Sequence, residues 1–204
     1  MCHSFEASVS ALIVGWAGCF MLMMTKSRIN FRVGLFFLYV LSMQLIEALM
    51  WKDQKCSGLN QTASKIGFVQ NIGQPILAYL ALLPFIPKEN RMLVTAGLIV
   101  YIGTLIAFIL KNKTQMTLES FWCTRANEGG LEWNWSRKQD SWVWIVFVGS
   151  LSLTMLASKL SLYTTLATLG TLVASYARYG SSKAVGSWWC FYAVILPYVQ
   201  LISQ

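Results

Sequence analysis

Charge is the first thing this sequence has little of. Only 12% of its 204 residues are charged, against 56% hydrophobic, and the mean hydropathy is +0.54. Soluble domains carry roughly 25% charged residues. So thin a supply cannot cover a water-facing surface, and lipid must therefore be part of the solvent. Histidine is nearly absent too. A single one excludes zinc motifs built on a His pair, and with them intramembrane hydrolases that need several histidines. The five cysteines contain no Cys-x-x-Cys spacing. A low-complexity tract, an internal repeat and a separate soluble domain are all missing. The start, Met1-Cys-His-Ser-Phe-Glu, has neither a positive n-region nor a small-residue cleavage site, so the first apolar run reads as a retained helix.

What is present is a series of apolar runs. A hydrocarbon core of ~30 Å needs ~20 apolar residues per helix, with ~17 as the lower limit. Runs near that length occur at Ala7–Met24, Val33–Trp51, Ile66–Ile86, Met92–Leu110, Ser141–Ser158, Leu160–Ala177 and Ala184–Ile202. The expected fold is an all-α integral membrane bundle of about seven transmembrane helices, with residues 1–204 forming one domain. From Ser141 to Ala177 only Lys159 is charged. One straight helix of that length would reach ~55 Å, too far for a single crossing. A hairpin at Ser158-Lys159-Leu160 is expected, although no glycine or proline marks it. Residues 111–140, rich in tryptophan and holding Glu119, Glu128, Glu132 and Asp140, form the one longer extramembrane loop.

The formal charge of +8 does not indicate nucleic acid. Lys26, Arg28, Arg32, Lys111 and Lys113 flank apolar runs and read as headgroup anchors, so the bilayer is the expected partner. Positive charge divides too evenly between the two sets of loops to orient the chain. The sequons at Asn60, Asn112 and Asn134, together with Cys2, Cys56 and Cys123, fall on one side with the N-terminus. That pattern predicts an extracytoplasmic N-terminus and a cytosolic C-terminus. Cys56 and Cys123 are placed to pair, which sequence alone does not establish. Ala7, Ala11, Gly15 and Gly18 make a small-residue stripe suited to helix packing or to a homo-oligomer. Trp122, Trp133, Trp135, Trp142, Trp144, Trp188 and Trp189 are expected in an interfacial aromatic belt.

Polar side chains within the apolar runs are costly, and they mark functional sites by default. Gln44, Glu47 and Trp51 share a face by i, i+3, i+7 spacing, and Gln70, Asn71 and Gln74 line one side of the next run, just before Pro75. Pro75 removes one backbone donor and releases the carbonyl of Asn71. Glu6 opens the first run, and Ser187-Trp188-Trp189-Cys190 open the last. Alternating topology puts these groups in one leaflet, with only Cys19, Ser42, Thr104 and Thr154 in the other. The candidate ligand or ion site is therefore Glu6, Gln44, Glu47, Gln70, Asn71, Gln74 and Cys190. The same residues also serve as interhelical glue in a bundle that binds nothing. A metal site from Cys2, His3, Glu6, Glu47 and Cys190 is chemically conceivable but shows no recognised ligand spacing. No catalytic set, metal or cofactor is expected. A retinal protein would need a lysine in the last helix, and a G-protein-coupled receptor longer loops.

The segments Met1-Cys…Ser4-Phe5-Glu6-Ala7-Ser8, Ser42-Met43-Gln44…Glu47…Trp51 and Ser187-Trp188-Trp189-Cys190 resemble a family of small polytopic membrane proteins from large DNA viruses of algae and protists. His3 departs from that pattern as an apparent insertion. The resemblance implies a similar helical layout and carries no activity over. Its motif positions coincide with the polar cluster. The expected function is a small-solute or ion transporter or channel-like protein, with Glu47 as the coupled carboxylate. The alternatives are a structural or assembly membrane protein and an intramembrane metal or redox enzyme.

Overall fold

A computed structural model describes residues 4–127, 130–136, 140–179 and 185–203. The chain is all-helical apart from one short hairpin, and the helices form seven segments. The first is α1 (Phe5–Met23), started by Ser4, whose hydroxyl accepts the Ala7 amide at 3.1 Å. The second is broken at Ser42 into α2 (Arg28–Leu41) and α3 (Met43–Lys52). The third is α4 (Leu59–Leu82), which contains Pro75 and runs on into a 3-10 turn at Leu83–Phe85. Then come α5 (Lys88–Met116), α6 (Ser141–Ala157) and α7 (Leu162–Tyr179). The last segment is α8 (Val185–Tyr192), a 3-10 turn at Ala193–Ile195, and α9 (Leu196–Ile202).

Five of these segments are long and apolar enough to cross a membrane: Phe5–Met23, Arg28–Lys52, Leu59–Phe85, Lys88–Met116 and Val185–Ile202. That fits an integral membrane protein. The sixth, α6, is apolar but has only 17 residues, about 25 Å of helix. In α7 the residues Thr164, Thr165, Thr168 and Ser175 are buried and dilute its hydropathy. The expected hairpin between α6 and α7 is present. Ser158 does the work that glycine or proline would do: its hydroxyl donates to the Met155 carbonyl at 2.8 Å and accepts the Leu160 amide at 3.3 Å. The Lys159 amide then bonds the Phe85 carbonyl at 3.3 Å, so the turns after α4 and α6 lie at one end of the bundle.

The helices run further than the apolar runs predicted. The second segment starts at Arg28 rather than Val33, the third at Leu59 rather than Ile66, and the fourth at Lys88 rather than Met92. Polar residues beyond the hydrocarbon continue a helix readily, because water completes their hydrogen bonds. At the centre, α4 packs against α2, α3 and α6, while α1 packs on α2, α3 and α9. The small-residue stripe lies inside this packing. A Cβ on Gly15 would stand 2.7 Å from a Leu41 methyl, and one on Gly18 2.6 Å from the Tyr198 ring. An oligomer through that stripe would have to displace both side chains. By contrast, α5 turns Met92, Ile99 and Leu110 outward, a face suited to lipid.

At the opposite end from the α4 and α6 turns, the loop after α5 folds into a cap. It holds a 3-10 turn at Glu119–Trp122 and an antiparallel hairpin of β1 (Arg125–Asn127) and β2 (Gly130–Glu132), with Ala126 opposite Leu131. Cys56 and Cys123 form a disulfide that ties the cap to the α3–α4 loop. Glu128 lies outside the described residues, as do Cys2, His3 and Ala184.

Candidate functional site

Gln44, Glu47, Asn71, Gln74 and Cys190 are all buried to 2% exposure or less, and Gln70 to 6%. They stand on α3, α4 and α8; α3 packs on both α4 and α8, so the structure gathers their helices together. Glu6 does not join them. It is exposed in the first turn of α1, because that turn lies at the cap end and looks outward. Of the two carboxylates expected in the site, Glu47 is buried with the amides and Glu6 is exposed. Cys2 and His3, the remaining partners of the metal idea, fall outside the described residues. Among those described, no three His, Cys, Asp or Glu side chains come together as a metal site.

Two of the buried polar groups have structural partners that the sequence did not reveal. Gln70 reaches across from α4 to the break at Ser42, where its amide donates to the Tyr39 carbonyl, the Val40 carbonyl and the Ser42 hydroxyl. It caps carbonyls that a continuous helix would have used internally. Near Pro75, the fully buried Tyr101 of α5 donates to the Ile72 carbonyl at 2.7 Å. A tyrosine in the middle of an otherwise apolar run was the signal for this contact.

Gln74 is different. It is fully buried, and neither its amide nitrogen nor its oxygen has a hydrogen-bond partner among the described residues. Asn71 Oδ1 and Gln70 Oε1 share that condition on the same helix. Each unsatisfied buried polar group costs about 1–3 kcal/mol. Groups of this kind ordinarily meet ordered water, an ion or a ligand.

A second polar network closes the cap end. Asn60 is fully buried; its Nδ2 donates to the carbonyls of Met50 and Thr124 at 3.1 and 2.7 Å, and its Oδ1 accepts the Thr124 amide at 2.8 Å. Asp53 accepts the amides of Ser57 and Asn60, both at 3.0 Å, and those bonds hold its carboxyl below the usual carboxylate range. Ser64 and Thr124 join hydroxyls at 2.7 Å. Two of the three sequon asparagines are buried in the fold. Asn60 is committed to the cap, and Asn112 is buried within α5 with its amide on the Phe108 carbonyl at 3.0 Å. Asn134 also bonds inward, to the Cys123 carbonyl at 2.6 Å.

The tryptophans do not form the simple belt expected of them. Trp133 and Trp135 are buried to 1% exposure or less and stack at 4.7 Å, while Trp135 meets Phe68 and Trp144. Gly186 at the start of α8 is needed beneath them, since a Cβ there would stand in the Trp133 ring. The aromatic pair thus packs at the cap end, with Trp133 against the start of α8. Trp122, Trp188 and Trp189 are buried as well.

At the other end, where only mild groups were expected, lies a third network. Thr164 of α7 donates to Gln200 Oε1 at 2.7 Å, Gln200 donates to Asn30 Oδ1 at 3.2 Å, and Asn30 donates to the Thr25 hydroxyl at 2.9 Å. All but Thr25 are buried. The sequence signal was Gln200 inside an apolar run. Asn30 lies just outside the apolar run Val33–Trp51, so hydropathy alone does not mark it.

Two surface clefts, of about 590 and 510 Å³, lie at the two ends, and no cluster residue lines either. The long apolar helices and the buried polar cluster fit a helical protein of the integral membrane class. No known family, curated protein or solved structure matches the chain.

Proposed function

We propose that the protein is a seven-crossing membrane transporter or channel-like protein that passes a proton, ion or small polar solute by way of Glu47 and Gln74. The observation that carries this reading is Gln74, a fully buried amide with no hydrogen-bond partner among the described residues, beside a proline in the central helix. Helix interruptions support it: the segment contributing Glu47 is divided at Ser42, the one contributing Cys190 passes through a 3-10 turn at Ala193–Ile195, and Pro75 stands inside α4 next to Gln74. Irregular backbone at such depth is found where helices line a cavity or a substrate path. The Trp133–Trp135 plug would close the path at the cap end, and the Thr164–Gln200–Asn30 chain would close it at the other. Glu47 would be the group that binds and releases a proton.

The cap end is the extracytoplasmic one in this proposal. A disulfide persists in an oxidising compartment, and the Cys56–Cys123 bond lies in the cap. Phe5 lies at the same end, under the Lys52 ammonium at 4.6 Å, which would place the N-terminal end of α1 outside. Kinship with the viral membrane-protein family is also proposed, on Gln44, Glu47, Trp51 and Cys190. A structural or assembly role has its own support in Gln70 and Tyr101, whose hydrogen bonds go to neighbouring backbone.

The test is flux in liposomes holding the purified protein, screened with protons, monovalent cations and small polar solutes. Glu47→Gln keeps size and removes the charge. The expected result is flux in the parent, its loss in Glu47→Gln, and an unchanged melting temperature. A parent that passes none of the tested species, with a Glu47→Gln variant that melts early, would leave the assembly reading in place.

A further inference from the structure

We propose that the cleft where α1 turns into α2 is a headgroup site for an anionic phospholipid. This goes beyond the anchoring role expected of any basic residue near a bilayer, and it does not depend on the transport reading. The cleft measures about 590 Å³ and is lined by Lys26, Ser27, Arg28 and Arg32, with Phe31 and Leu35 continuing along α2. The three cations are exposed and have no acidic partner among the described residues, whose one ion pair, Lys111 with Asp140, lies at the cap end. Besides the cleft, the described residues at this end of the bundle include Lys88, Arg91 and Lys159 against Glu89 alone.

The order of residues selects the occupant. Cations stand at the helix end, and Phe31 and Leu35, 49% and 45% exposed, follow towards the middle of the helix. A phosphodiester at the mouth would meet the guanidinium groups of Arg28 and Arg32, which suit planar, paired recognition of phosphate oxygens. Its acyl chain would then run over Phe31 and Leu35. Inorganic phosphate or a soluble anion has no use for that apolar wall, and a zwitterionic lipid would leave the three cations without net compensation. Thr25 also lines the cleft, and its hydroxyl accepts Asn30, so an occupant would brace the turn from which the Asn30–Gln200–Thr164 chain is hung.

The experiment is native mass spectrometry of the full chain in detergent, titrated with phosphatidylglycerol or phosphatidylcholine, with inorganic phosphate as competitor. The variants are the triple Lys26→Gln, Arg28→Gln, Arg32→Gln and, as a charge-matched control at the same end, Lys88→Gln, Arg91→Gln, Lys159→Gln. Each cation lost should weaken phosphatidylglycerol binding about fivefold, so the cleft triple should lose about a hundredfold. The control triple should bind like the parent, and phosphatidylcholine should bind weakly to all three. If the cleft triple does not purify, the exposed single variant Arg32→Gln carries the test with its fivefold loss. Equal losses in both triples, equal binding of phosphatidylcholine, or full displacement by millimolar phosphate would each overturn the proposal.

Discussion

Two buried polar regions stand on the same helix, α4, about four turns apart, and they are built in opposite ways. Around Asn60, donors and acceptors are matched: the side chain bonds both ways to Thr124, a residue 64 positions away, and to the Met50 carbonyl, while both oxygens of Asp53 accept backbone amides. Around Gln74 the same kind of side chain is fully buried with both amide atoms unmatched among the described residues. A matched network holds a fold together. An unmatched one destabilises it and persists when the site has another use. The residue types are shared, so composition alone cannot tell glue from site; the state of their hydrogen bonds does.

The largest effect should come from the cap. Cys123→Ser opens a covalent link spanning 67 residues, and the loop-entropy estimate for such a link is about 4 kcal/mol. The expected result is a marked fall in melting temperature, reproduced in the parent by reductant. A parent whose melting is indifferent to reductant would break the view of the cap as a clamped structure. Next in size is Asn60→Ala, which strands one amide and two carbonyls and should cost about 3 kcal/mol in detergent unfolding. A smaller effect depends on pH. The Asp53 carboxyl sits below its ordinary value because backbone amides bond its anion. Its contribution is therefore complete above about pH 4, where the unfolded carboxyl is also ionised, and is lost as pH falls through the lowered value. The melting gap between parent and Asp53→Asn should narrow between pH 6 and pH 3. A constant gap would remove Asp53 from the account of the cap.

Much of the layout was legible because helical segments are local and periodic. The hairpin at Ser158-Lys159-Leu160 followed from length alone, and the shared burial of Gln44 and Glu47 from i, i+3 spacing. The exposure of Glu6 was not legible in its sequence register, because it follows from the position of Glu6 at the start of α1. The role of Asn60 in the cap was not legible for a different reason. A sequon is a local pattern, but the fate of this asparagine is decided by Thr124, which only the folded chain brings near. Trp133 and Trp135 look like belt residues by composition, yet both are buried, Trp133 in space that Gly186 leaves open. Asn30 and Gln200 are 170 residues apart, and neither alone predicted the network at the end opposite the cap.

The comparison along α4 rests most directly on the melting temperature of Gln74→Leu, measured beside Asn60→Ala under the same conditions. Leucine removes two buried unmatched atoms and keeps most of the volume, so replacing Gln74 should relieve a desolvation cost rather than break a bond. The result predicted is a melting temperature equal to or above that of the parent, with any flux of the parent diminished. A fall comparable to that of Asn60→Ala would contradict the account, because it would make Gln74 another strut of the bundle.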